Sequence, residues 1–135
     1  MKKIIALFFS MVVLVSYTNN LQAQKAKTEI ASVKQSGEVI RFTVTSSKPL
    51  IFGNNRYVLY IGDKEFTMSE TPADENNKTI SFLIGAGEFG ALKEGADVYV
   101  SYGHINMEEQ DIAAHAQRSH KCWHLGKFSS SMLTK

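Results

Sequence analysis

All four histidines, His104, His115, His120 and His124, and the only cysteine, Cys122, fall between positions 104 and 124 of a 135-residue chain. Within His120-Lys121-Cys122-Trp123-His124, alternate residues of a strand would share a face. His120, Cys122 and His124 then stand on one side, with Lys121, Trp123 and Leu125 on the other. Two imidazoles and a thiol spaced about 6–7 Å apart along a strand are donors that can close on one Zn²⁺ or copper ion. His115, His104 or Met107 is available to complete the shell. The spacing differs from the zinc signatures that repeat cysteines or set two histidines on a helix turn. The same residues also have a purely structural reading, in which Cys122 faces inward as a small apolar side chain. The histidines then flank it, half in solvent. A lone cysteine closes no internal disulfide, so Cys122 is buried, bound to metal, or paired with another chain in a disulfide dimer.

Other residue patterns carry less chemistry. Gly85-Ala86-Gly87-Glu88-Phe89-Gly90 spells the dinucleotide fingerprint G-x-G-x-x-G. That fingerprint needs a helix and a crossover of roughly a dozen residues or more to a parallel strand. Too few residues separate Gly90 from the next strand candidate at Val98, so the glycines are expected to connect two sheets, with Phe89 and Leu92 plugging the end of the core. Glu108, Glu109 and Asp111 sit where negative charge suits the start of a helix. Asp74 and Glu75 belong to a polar loop. Tyr57, Tyr60, Tyr99 and Tyr102 could form a platform for a glycan or peptide, but tyrosine is also ordinary packing material on strands. No nucleophile, base and orienting group recur at a spacing that would mark a hydrolase.

The elements that must position these groups are strands. Lys2 and Lys3, an apolar run over residues 4–15, and Leu21-Gln22-Ala23 before Gln24 have the order of a secretory signal peptide. The run is about a dozen residues against roughly twenty for a spanning helix. Cleavage after Ala23 is expected, with no membrane anchor left behind and a periplasmic or secreted destination. Removing residues 1–23 takes away two lysines and leaves 13 basic against 13 acidic side chains. That balance gives no electrostatic footprint for nucleic acid or an anionic membrane. Residues 24–135 suit a single domain. Ile40, Phe42 and Val44 alternate with polar residues, as do Ile80, Phe82 and Ile84, and the period of two marks strands. Tyr57, Leu59 and Ile61 follow the turn candidate Gly53-Asn54-Asn55, and Gly62-Asp63 leads on to Phe66 and Met68 as a hairpin. Val98, Val100 and Tyr102 form the next set and Trp123 to Phe128 the last. With residues 30–33 at the start, about seven strands make an all-β antiparallel β-sandwich the expected fold. Asn106 and Glu109 have the spacing of a capping box, so a short helix over residues 107–118 is expected as an insertion before the last strand, outside the sheets.

Leu92-Lys93-Glu94-Gly95-Ala96-Asp97-Val98-Tyr99-Val100-Ser101-Tyr102 resembles the penultimate-strand pattern of bacterial immunoglobulin-like repeats, in which a turn leads into an alternating Val, Val, Ser-Tyr strand. The resemblance implies an immunoglobulin-like sandwich used for adhesion, spacing or ligand display, and it carries no catalytic residues. Two functional expectations follow. The first is an exported, non-enzymatic module that binds a protein or glycan through its end loops and the insertion. The second is an envelope protein that binds zinc or copper through His120, Cys122 and His124, with His115 as a further ligand.

Overall fold

The computed structural model describes residues 25–50, 56–67, 69–70 and 77–134. The leader, the Gly53-Asn54-Asn55 turn, Met68 and residues 71–76 of the polar connection lie outside the described residues. In chain order the strands are β1 (Thr28–Ser36), β2 (Val39–Ser46), β3 (Tyr57–Ile61), β4 (Lys64–Phe66), β5 (Ser69–Glu70), β6 (Thr79–Gly85), β7 (Asp97–Tyr102), β8 (Cys122–Lys127) and β9 (Leu133–Thr134). Two short helices, α1 (Ala86–Gly90) and α2 (Ile112–Arg118), lie between β6 and β7 and between β7 and β8. The strands form a five-stranded sheet in the order β5-β6-β2-β1-β9 and a four-stranded sheet in the order β4-β3-β7-β8. All pairings are antiparallel except that of β1 with β9.

Local sequence accounts for the hairpins. Ser36 pairs with Val39 across Gly37-Glu38, and Ile61 pairs with Lys64 across Gly62-Asp63. In both two-residue turns the leading glycine takes a positive φ, +63° at Gly37 and +62° at Gly62. Such turns match the right-handed twist of the strands they join.

The alternating residues meet as their period requires. Ile40, Phe42 and Val44 of β2 oppose Ile84, Phe82 and Ile80 of β6, and none of the six is more than 2% exposed. Leu59, Ile61, Val98, Val100 and Trp123 of the other sheet pack against them in one core. Burying a side chain of this size stabilises the fold by roughly 1.5–3 kcal/mol, so the two sheets are held face to face. At one end α1 carries the chain between the sheets. Phe89 is buried there and meets Phe128 edge-on, with ring centroids 5.3 Å apart, and Leu92 packs beside them. The glycine-rich stretch is thus a sheet-to-sheet connection with a five-residue helix.

The outer face of the four-stranded sheet departs from expectation. Every residue of β3 is buried, because Val58 and Tyr60 join Tyr99 and Cys122 in a second apolar cluster with Ile105 and Ala116. Met107 and Ile112 pack against its margin. The insertion is therefore a cover for this sheet. Its helix begins later than the capping-box spacing suggests. Asp111 is the cap, its Oδ1 accepting from the Ala113 N–H at 3.1 Å. Asn106 instead heads a separate turn, accepting from the Glu108 N–H at 3.1 Å through Oδ1 and from Glu109 and Gln110 through its carbonyl. Helix formation from Asp111 places Ile112 and Ala116 four residues apart, on one side of α2. The strand beginning near Trp123 is not the last, since Leu133 and Thr134 pair with Val33 and Lys34 of β1.

Candidate functional site

The residues singled out for metal chemistry are separated by the fold. Trp123 faces the inter-sheet core, as expected, and Cys122 faces the opposite side. That opposite side is covered by α2 and Ile105, so Cys122 is 0% exposed. Burial raises the thiol pKa above its ordinary 9.0, while the charge of Lys25 and a hydrogen bond with Ser101 pull the other way. His124 stacks on Tyr99 with ring centroids 4.8 Å apart, and its Nε2 lies 3.1 Å from Asp97 Oδ1. The same carboxylate oxygen receives Lys127 Nζ at 2.8 Å. Hydrogen bonding with Lys127 first, and with His124 after it, holds the Asp97 carboxyl below its ordinary 3.8.

His104 pairs with Glu65, Nε2 to Oε2 at 2.9 Å, on the surface. His120 stands in the exposed turn before β8, outside the strand expected to carry it, and His115 is half-buried in the last turn of α2. Among the described residues, no three His, Cys, Asp or Glu side chains come together in a group that could hold a metal ion.

A different set of residues forms a groove. The segment ahead of β1 lies across the end of the sandwich and is tied down residue by residue. The Trp123 indole N–H donates to the Ala26 carbonyl at 2.8 Å. Lys27 exchanges two hydrogen bonds with Ser47, its N–H to Oγ at 2.9 Å and its carbonyl from the Ser47 N–H at 2.8 Å. The Lys25 ammonium donates to the carbonyl of Ala116 near the end of α2. Between this segment and the exit of α2 lies an open groove of about 560 Å³, bounded by Lys25, Ala26 and Lys27 on one side and Gln117, Arg118, Ser119 and His120 on the other. Among the described residues its lining holds two lysines, an arginine and a histidine, with no carboxylate. The Lys25 pKa is lowered from 10.5, chiefly because the ammonium is partly withdrawn from water, with the nearby Cys122 acting in the opposite sense.

Two other depressions differ in charge. One of about 480 Å³, beside the Gly62-Asp63 turn, mixes Asp63, Glu94 and Asp97 with Lys64 and Lys93. One of about 300 Å³, beside β4, carries Glu65 and Glu88. The groove escapes a reading of the sequence because its two banks lie far apart in the chain, and the one residue of a motif that lines it, His120, belongs to a pattern that suggests metal chemistry. Compared with models of protein families, with curated proteins and with solved structures, the chain matches none.

Proposed function

We propose that this protein is an exported, non-enzymatic immunoglobulin-like module that works by binding, through the groove where its N-terminal segment meets the exit of α2. The observation that carries the proposal is the groove itself: an open concavity of about 560 Å³ lined by Lys25, Lys27, Arg118 and His120, within the range of roughly 300–1,000 Å³ usual for small-ligand sites. The immunoglobulin-like reading draws support from strand order. With β1 to β8 taken as A, B, C, C′, D, E, F and G, one sheet runs D-E-B-A and the other C′-C-F-G, the scheme of two sheets joined by Greek-key connections. α2 then lies in the F–G connection, among the end loops where such sandwiches carry recognition.

Three of the groups singled out in the sequence have a partner or a cover within the fold. The thiol is packed beneath α2, His104 is paired with Glu65, and His124 is paired with Asp97. The partner class is a protein or glycan met in the periplasm or outside the cell, since the leader has the order of a signal peptide.

The test uses the chain from Gln24 onward, which contains every described element. Immobilised protein is probed with arrayed glycans and envelope proteins beside the charge-reversed variant K27E/R118E, and is assayed with ester, glycoside and peptide reporter substrates. Saturable retention by the native chain that the variant loses supports the proposal. Turnover of any reporter that a point substitution in this chain abolishes overturns it.

A further inference from the structure

The groove's charge points to the chemistry of its ligand. Past the leader the chain balances 13 basic against 13 acidic side chains, so a concavity lined by Lys25, Lys27 and Arg118, with no carboxylate among the described residues, is a local departure from neutrality. Two cations near β8 have partners outside the groove. Lys127 sits on Asp97 at 2.8 Å, and Lys121 lies over the Tyr102 ring, 5.5 Å from its centroid.

Helix chemistry explains part of the groove and leaves the rest. A cation at a helix C-terminus complements the macrodipole, which accounts for Lys25 on the Ala116 carbonyl and for Arg118 in the last turn. Lys27 and His120 lie outside the helix, on opposite banks. Lys25 is fixed in place and partly withdrawn from water, so an anion arriving beside it meets a positioned charge. Arg118 offers the planar fork that binds carboxylate or phosphate oxygens two at a time.

We infer that this groove binds an oxyanion, a carboxylate or a phosphate, carried on a ligand of about disaccharide size, as its volume allows. The inference rests on the binding-module reading above and assigns that module its ligand class. Lys27 and Arg118 are the side chains that contact the anion, and Lys25 supplies a fixed charge behind them.

The experiment is an amide-resolved NMR titration of the chain from Gln24 onward with inorganic phosphate, glucuronate and glucose at constant ionic strength. Saturable shifts at Lys27, Arg118, Ser119 and His120 are expected with phosphate and glucuronate and not with glucose. K27E/R118E should weaken that binding by at least about tenfold, with a small loss of stability from the negative charge that R118E places at the C-terminus of α2. If the double reversal unfolds the chain, K27A/R118A serves in its place. The tighter of the two anions tells a phosphate-bearing from a carboxylate-bearing ligand. Absent shifts, equal shifts with glucose, or undiminished affinity in the variants would overturn the inference. An uncharged ligand that occupies the groove and is lost in K27A/R118A would remove the anion assignment and leave the module reading standing, whereas catalytic turnover would remove the module reading whatever the groove binds.

Discussion

Replacing Tyr60 with phenylalanine removes one oxygen atom from the second core and leaves the ring in place. That oxygen serves both backbone polar groups of one buried residue, Ile105. The Ile105 N–H donates to it at 2.7 Å, and its own O–H donates to the Ile105 carbonyl at 3.4 Å. Tyr60 is 0% and Ile105 4% exposed, so water does not take over either bond without the cover opening. An orphaned buried donor costs about 1–3 kcal/mol. The carbonyl bond is long and adds little, which places the expected loss near 2 kcal/mol. A domain of this length shifts by about 4 °C per kcal/mol, so the melting temperature should fall by about 8 °C. The loss should be local in origin, with amide exchange accelerated at Ile105 and through α2 more than in β2 and β6. Tyr99→Phe keeps the ring that stacks on His124 and should stay within about 0.5 kcal/mol of the native chain. If Tyr60→Phe melts with the native protein and exchange around Ile105 is unchanged, the insertion is not held to the sheet by this bond and the reasoning fails.

Three further outcomes are expected. Gly62→Ala forces a side chain into a conformation with φ +62° and sets its Cβ 3.3 Å from that of Ala96; it should cost about 1–3 kcal/mol in denaturant melts. Gly37→Ala, at φ +63° with nothing within 4 Å, should cost less. Trp123→Phe gives up the hydrogen bond to Ala26, with a loss of about 1 kcal/mol or more and faster exchange over residues 26–28; an unchanged exchange pattern would show that the indole does not anchor the segment. Cys122 should resist thiol reagents in the native state and react at once in denaturant. Its raised pKa means that the folded state favours the neutral thiol. The corresponding stability is fully present below the ordinary thiol value of 9.0 and is lost as pH climbs from there toward the native value. Cys122→Ala should flatten that alkaline limb, and an unaltered limb would contradict the assignment.

The inter-sheet core was legible because one period explains it. Ile40, Phe42 and Val44 are apolar at every second position with polar neighbours between, and a strand can bury only one such face. The same rule misled at β3 and β7. Reading Tyr57, Leu59 and Ile61 as the buried set sends Val58 and Tyr60 to solvent, yet all five are buried. The signal was present in the unbroken apolar run from Tyr57 to Ile61, which marks a strand covered on both faces. Its cover is the insertion, and that link explains why Cys122 is buried while facing away from the main core. The helix start was misplaced because Asn106 and Asp111 are both good caps, and the choice between them depends on the packing of Ile112 and Ala116. The groove could not be read at all, since Trp123 and Ser47 decide where residues 25–27 lie and neither announces that role in the sequence.

Cys122, His104 and His124 are engaged within the fold, and the recognition proposed above falls to the groove that His120 helps to line. Calorimetric titration of the reduced chain from Gln24 onward with Zn²⁺ and with Cu⁺, beside a Cys122→Ser, His124→Ala double variant, separates this reading from a metal site. The native chain and the variant should give the same heats, with no saturable binding that depends on Cys122. Sub-micromolar binding by the native chain that disappears in the variant would contradict this reading, and would make α2 a ligand-bearing flap over a metal site.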